Sequence, residues 1–196
     1  MLKVAITGSI ATGKSLIEGF IRDDGFSILD TDRVVHHLLK ENETVISKIK
    51  TAFGDEAFDG DEISRVNLGK IVFYDSEKKK LLESILHPCV KQEIFHFLMS
   101  HRRERVVFVS VPLLYEVGWQ GLFDYVLVVY AEADVQLKRL MDRNLIDENA
   151  ARNLISLQMP QADKVRAADF VIDNSTTIES AKRQFDYILK KLLMLT

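Results

Sequence analysis

Short apolar runs alternate along this chain with longer stretches in which apolar residues recur at spacings of three and four. Lys3 to Thr7, Phe26 to Leu29, Arg105 to Val111, Tyr125 to Tyr130 and Phe170 to Ile172 have the length and composition of strands. The segments between them read as helices, and that alternation predicts repeated β–α units around a mainly parallel, five-stranded sheet. From Thr31 to Arg103 no run looks like a strand. There Leu38, Leu39, Val45, Ile46 and Ile49, then Leu68, Ile71 and Val72, then Leu81, Leu82, Ile85 and Leu86 follow helical spacing, with Gly54 to Gly60 as the expected internal turn. A second excursion starts with a helix from Ala133 to Asn144 and continues with one capped by Asp147, carrying Glu148 in its first turn, before Pro160 breaks the pattern. Near the C-terminus Ile188, Leu189, Leu192, Leu193 and Leu195 are interrupted by Lys190 and Lys191 and fall short of spanning length, which predicts an amphipathic helix on the sheet.

Composition narrows this picture. A chain of 196 residues holds one well-cored domain with insertions rather than two of ordinary size. With 47% apolar residues, 28% charged residues and a net charge of −3, the surface is not that of a general nucleic-acid binder, although a local basic pocket for a small phosphorylated substrate is allowed. Cys89 is the single cysteine, so no internal disulfide forms, no zinc ligand set is present, and a reducing cytosol is the expected compartment. Val4 to Ile6 is too short for a signal-peptide core and reads as a core strand; no membrane anchor is expected.

Directly after that strand, Gly8 to Ser15 reads Gly-Ser-Ile-Ala-Thr-Gly-Lys-Ser, matching the phosphate-binding pattern G-x-x-x-x-G-K-[ST]. Gly8 and Gly13 let the backbone turn so that successive N–H groups face a polyphosphate. Lys14 offers a point charge to the β and γ phosphates, and the Ser15 hydroxyl is the expected ligand for a Mg²⁺ that bridges them. The helix that follows, to about Asp24, adds the positive end of its dipole.

Open α/β sheets bind ligands beyond the carboxyl ends of their strands, which gives priority to the residues there. Asp30 and Asp32 follow the second strand, and a carboxylate at that place serves either as the base of phosphoryl transfer, with Asp32 favoured, or as a cap for the next helix. The third strand ends in Ser110, where many phosphate-loop enzymes carry an acid that helps hold Mg²⁺; Glu116 is the nearest acid beyond it. Arg139 and Arg143, four apart, share one helix face and are candidates to close over a triphosphate. His87 precedes Pro88 and is expected at a helix boundary, while His36 and His37 are expected on a helix surface.

The loop, Leu29-Asp30-Thr31-Asp32, Leu86-His87-Pro88, Val111 to Glu116, Gln158-Met159-Pro160 and Ala168 to Asn174 occur together in an order that resembles the dephospho-coenzyme A kinase family over nearly the whole chain. The resemblance implies a three-layer α/β phosphate-loop NTPase fold like that of nucleoside monophosphate kinases: a core at about 1–30, 104–132 and 168–196, a helical coenzyme A-binding insert at about 31–103, and a lid at about 133–167. It implies transfer of the ATP γ-phosphoryl group to the ribose 3′-hydroxyl of dephospho-coenzyme A, giving coenzyme A and ADP. Asp32, Lys14 and Arg139 would be catalytic; Gly8, Ala11, Thr12, Gly13, Lys14, Ser15, Leu16, Arg143 and Asn174 would bind ATP; Asp32, His87, Leu114 and Glu116 would face the acceptor; Ser15 would hold Mg²⁺. A cytoplasmic monomer or weak homo-oligomer is expected, with neither nucleic acid nor membrane as partner. Ser9, Ala11, Thr12 and Leu16 depart from the usual loop without removing a backbone donor, and Ser110 replaces an acid often found before Val-Pro-Leu-Leu. The alternatives left open are another small-molecule kinase of this fold or a catalytically impaired nucleotide-binding descendant.

Overall fold

The computed structural model describes residues 1–73 and 75–196. Its elements in chain order are β1 (Leu2–Thr7), α1 (Lys14–Asp23), β2 (Ile28–Asp30), α2 (Thr31–Glu41), α3 (Glu43–Phe53), β3 (Phe58–Asp59), β4 (Glu62–Ile63), α4 (Arg65–Phe73) and α5 (Ser76–Ser100). They continue with β5 (Val106–Ser110), β6 (Tyr125–Tyr130), α6 (Ala133–Asn144), α7 (Glu148–Ser156), α8 (Gln161–Arg166), β7 (Phe170–Asp173) and α9 (Ile178–Met194).

Five strands form one parallel sheet in the order β2-β5-β1-β6-β7. The first strand of the chain is therefore the central one, and its carboxyl end lies where the strand order reverses, the place at which such sheets bind ligands. Continuous apolar runs fit this position, since β1 and β5 are covered on both faces. Val4, Ile6, Val106, Phe108, Leu127 and Val129 join Ile17 and Ile21 of α1 and Phe185, Ile188 and Leu192 of α9 in the core. Each such side chain contributes about 2 kcal/mol through burial, so the loop after β1 stands on a rigid base.

The chain divides into two compact units, residues 1–30 with 98–196 and residues 31–97. The first contains the parallel sheet. The second contains α2, α3, α4 and most of α5, together with a small antiparallel hairpin, β3–β4. That hairpin corrects the expectation of a strandless insert: two-residue strands are too short to show alternation, and Gly60, at φ 62°, makes the turn between them. Gly54, at φ 67°, ends α3.

A second correction concerns His87 and Pro88. Instead of stopping there, α5 runs for 25 residues with Pro88 inside it. Apolar burial on both sides, at Ile85, Leu86, Val90 and Ile94, holds the helix through a residue that lacks the N–H of the regular ladder. The cap at Asp147 forms as expected, with its carboxylate accepting the Ala150 N–H at 2.8 Å. Pro160 precedes a further short helix, α8, absent from the sequence reading. Among the described residues no helix is long and apolar enough to cross a membrane.

Candidate active site

The turn after β1 is set by close approaches. A Cβ on Gly8 would lie 2.6 Å from the Val129 carbonyl oxygen and 2.8 Å from Thr12 Oγ1, so only glycine fits against β6. Ala11 and Gly13 both take left-handed backbone, at φ 62° and 94°. Glycine adopts it freely, whereas Ala11 bears a strain of about 1 kcal/mol. A Cβ on Gly13 would also fall 2.0 Å from Asn174 Nδ2, which donates at 2.8 Å to the Thr12 carbonyl. Thr12 is fully buried, and its hydroxyl donates to the Ser9 carbonyl at 2.9 Å. α1 then starts at Lys14, which puts its first-turn N–H groups and the positive end of its dipole at the mouth of the loop.

The outer limb of the loop is clasped on both backbone groups of Ile10. Its N–H donates to Gln158 Oε1 at 2.7 Å, and its carbonyl accepts from Gln136 Nε2 at 2.7 Å. Gln136 is buried, and its Oε1 accepts from Gln161 Nε2 at 2.7 Å, so α6 and the start of α8 hold the loop through one amide chain. Arg139, one turn beyond Gln136, brings Nη1 to 3.9 Å from the place a Gly13 Cβ would take. That Nη1 is buried with no hydrogen-bond partner. An unsatisfied guanidinium N–H beside a helix N-terminus is costly, and a polyphosphate oxygen is the acceptor that would complete it. Arg143 is exposed at the end of α6, its Nε donating to Asn144 Oδ1 at 2.9 Å.

Lys14 Nζ donates to Glu18 Oε1 and to Ser110 Oγ, both at 2.8 Å. Ser110 Oγ in turn donates to Glu18 Oε1 at 2.6 Å, closing a ring of three side chains, and Arg22 approaches Glu18 Oε2 at 3.4 Å. Burial pushes the Glu18 carboxyl up, but the hydrogen bonds from Lys14 and Ser110 and the charges of Lys14 and Arg22 together outweigh it, holding the group below the ordinary carboxylate range. Ser15 is exposed in the first turn of α1, and its hydroxyl fits a Mg²⁺ that takes its remaining ligands from phosphate and water.

The sheet unit thus brings together Gly8, Ala11, Thr12, Gly13, Lys14, Ser15, Leu16, Arg139 and Asn174. Asn174 serves there as a buttress under the Thr12 carbonyl. Asp32 sits in the first turn of α2, two residues after Asp30, whose register partner on β5 is Ser110. Leu114 has no exposed surface and packs in the core, whereas Leu113 beside it is 38% exposed. Glu116 Oε1 accepts the Met159 N–H at 3.0 Å and lies 2.8 Å from Nζ of the fully buried Lys164, tying the segment after β5 to α8. His87 belongs to the helical unit, where burial foremost, with the Lys91 charge, lowers its pKa against the opposing pull of Glu83. That unit also holds a cavity of about 110 Å³ lined by His36, Lys40, Arg65, Asp61 and Glu62 with Leu39, Ile46 and Ile63.

Glu18, Gln136, Gln161 and Lys164 carry parts of this site that sequence reasoning missed. Glu18 lies four residues after Lys14, a spacing that signals the pair; the others acquire partners only through contacts that no local pattern encodes.

A parallel sheet with a glycine-bounded phosphate loop at its switch point, a lysine at the head of the following helix and an arginine beside it define a phosphate-loop small-molecule kinase. Comparison with known proteins narrows the class. The family model described as dephospho-CoA kinase matches residues 2–180. The dephospho-CoA kinase of Geobacillus kaustophilus is 38% identical over 193 residues, covering 97% of this chain and 96% of that one. Among solved structures, TT1252 from Thermus thermophilus has a TM-score of 0.86 at 29% identity, with 97% of each chain covered. Dephospho-CoA kinase from Campylobacter jejuni has a TM-score of 0.74 at 29% identity, with 98% of this chain and 97% of that one covered. The chain belongs to the dephospho-CoA kinase family.

Proposed function

We propose that this protein transfers the γ-phosphoryl group of ATP to the 3′-hydroxyl of dephospho-coenzyme A, the last step in making coenzyme A. The observation that carries the donor half is the buried, unpaired Nη1 of Arg139 beside the loop of Gly8 to Ser15, a cationic site one anion short of completion. In the reaction the 3′-oxygen forms a bond to the γ-phosphorus as the bond to the β–γ bridging oxygen breaks, and the hydroxyl proton passes to a base. Asp32 is the proposed base, being the carboxylate in the first turn after β2. Lys14 and Arg139 hold the phosphate oxygens while charge spreads over them, and backbone N–H groups at the start of α1 add to that field. Mg²⁺, held by the Ser15 hydroxyl, would neutralise charge on the β and γ phosphates.

Residues 31–97 are the proposed acceptor-binding insert. Arg65 and Lys40 at the cavity of that unit supply positive charge for the acceptor's pyrophosphate, and His87 lies on its longest helix. The segment 133–167, bearing Arg139 and Arg143, is the proposed lid. In this reading Asn174 supports the nucleotide by fixing the loop, and Glu116 supports the acceptor side by fixing the turn after β5. The protein works in the cytoplasm as a monomer or weak homo-oligomer. Incubation with Mg-ATP and dephospho-coenzyme A should yield ADP and coenzyme A in equal amounts. Folded protein that forms no coenzyme A above the enzyme-free control would sink the proposal.

A further inference from the structure

β5 ends in Ser110, where the family resemblance leads to an acid, yet a carboxylate stands at that spot. It comes from α1. Glu18 is 4% exposed and Ser110 not at all. The two are joined at 2.6 Å, and Lys14 Nζ bonds to both at 2.8 Å. A carboxylate so buried is costly unless its partners are fixed, and here each member of the ring is held by the other two. The order of the pair, lysine before glutamate at four residues, is the less favourable one for a helix surface, so helix stabilisation does not account for it.

We propose that Glu18 is the positioning residue for Lys14, supplying from the helix after the loop, through the Ser110 hydroxyl, the negative charge that an acid at position 110 would supply from the strand. The inference rests on the kinase reading, which gives Lys14 its task. An ammonium group has three donors in tetrahedral array. Glu18 and Ser110 engage two of them and so fix the direction of the third, toward the polyphosphate. The same carboxylate competes with phosphate for the lysine charge, which separates this role from simple support of the fold. Removing it leaves Lys14 more attractive to any nucleotide and less well aimed at the one that reacts.

The test uses Glu18→Gln, Glu18→Ala, Ser110→Asp and the double variant Glu18→Ala/Ser110→Asp, each checked for cooperative unfolding above the assay temperature. Glu18→Gln should bind ADP about threefold or more tightly by calorimetry while kcat falls about tenfold to a hundredfold. Glu18→Ala should lose at least as much turnover. Ser110→Asp alone crowds two carboxylates around one lysine and should also be slow, whereas the double variant should recover most of the lost kcat. A double variant no faster than Glu18→Ala, or a Glu18→Gln enzyme with wild-type kcat, overturns the inference. Should the wild-type protein make no coenzyme A, the kinase reading fails and ADP calorimetry still decides: tighter binding by Glu18→Gln supports the role of Glu18, and equal or weaker binding overturns it.

Discussion

Ala11 occupies a backbone conformation that glycine adopts without strain. Ala11→Gly should raise stability by at most about 0.5 kcal/mol, read as a slightly increased denaturation midpoint, since relief of about 1 kcal/mol of left-handed strain is partly offset by the added freedom of the unfolded chain. Asp32→Asn should bind ATP as tightly as the wild type yet lose about a hundredfold or more in kcat; unchanged turnover would reduce Asp32 to a residue that favours the helix N-terminus. Glu18 also makes a pH prediction. Because its folded-state pKa is depressed, its contribution to stability is complete above the ordinary glutamate pKa and is lost as pH falls through the lower folded value. Acid titration of the melting temperature should therefore show a steeper fall for wild type than for Glu18→Gln. Lys14, Ser15 and the two loop glycines were legible from sequence because their chemistry is local and ordered. Glu18 was not, since its meaning depends on a serine 92 positions away.

Strands and helices were legible to within a few residues wherever burial imposed a clear period, as in β6 and α6. β2 drifted from 26–29 to 28–30 because the edge of a sheet leaves its three residues only half-buried. The proline rule misplaced a boundary at His87 because helix interruption is a local cost of about 3 kcal/mol, and four buried apolar side chains outweigh it. Pro88→Ala should accordingly stabilise the protein by up to about 3 kcal/mol, measurable by denaturant unfolding. The amide clasp on Ile10 works in the opposite sense. Gln136→Ala strands the Ile10 carbonyl and takes one acceptor from Gln161 Nε2, which keeps the Ala131 carbonyl, and should cost about 1–3 kcal/mol and raise the KM for ATP more than it lowers kcat.

At the scale of the molecule, the chain holds two compact units, residues 1–30 with 98–196 and residues 31–97. The sequence marked the extent of the second unit through a stretch without strands, though it missed the small hairpin inside it. Arg65→Ala should raise the KM for dephospho-coenzyme A about tenfold and leave the KM for ATP unchanged, because the cavity it lines belongs to the helical unit alone. The central position of β1 has a consequence for synthesis. The strand that carries the phosphate loop is made before its neighbours β5 and β6, which begin at Val106 and Tyr125, and the loop's supports at Gln136, Gln158 and Asn174 come later still. A nascent chain therefore holds the complete phosphate motif well before it has a nucleotide pocket, and ATP can act as a folding ligand only once Asn174 has emerged.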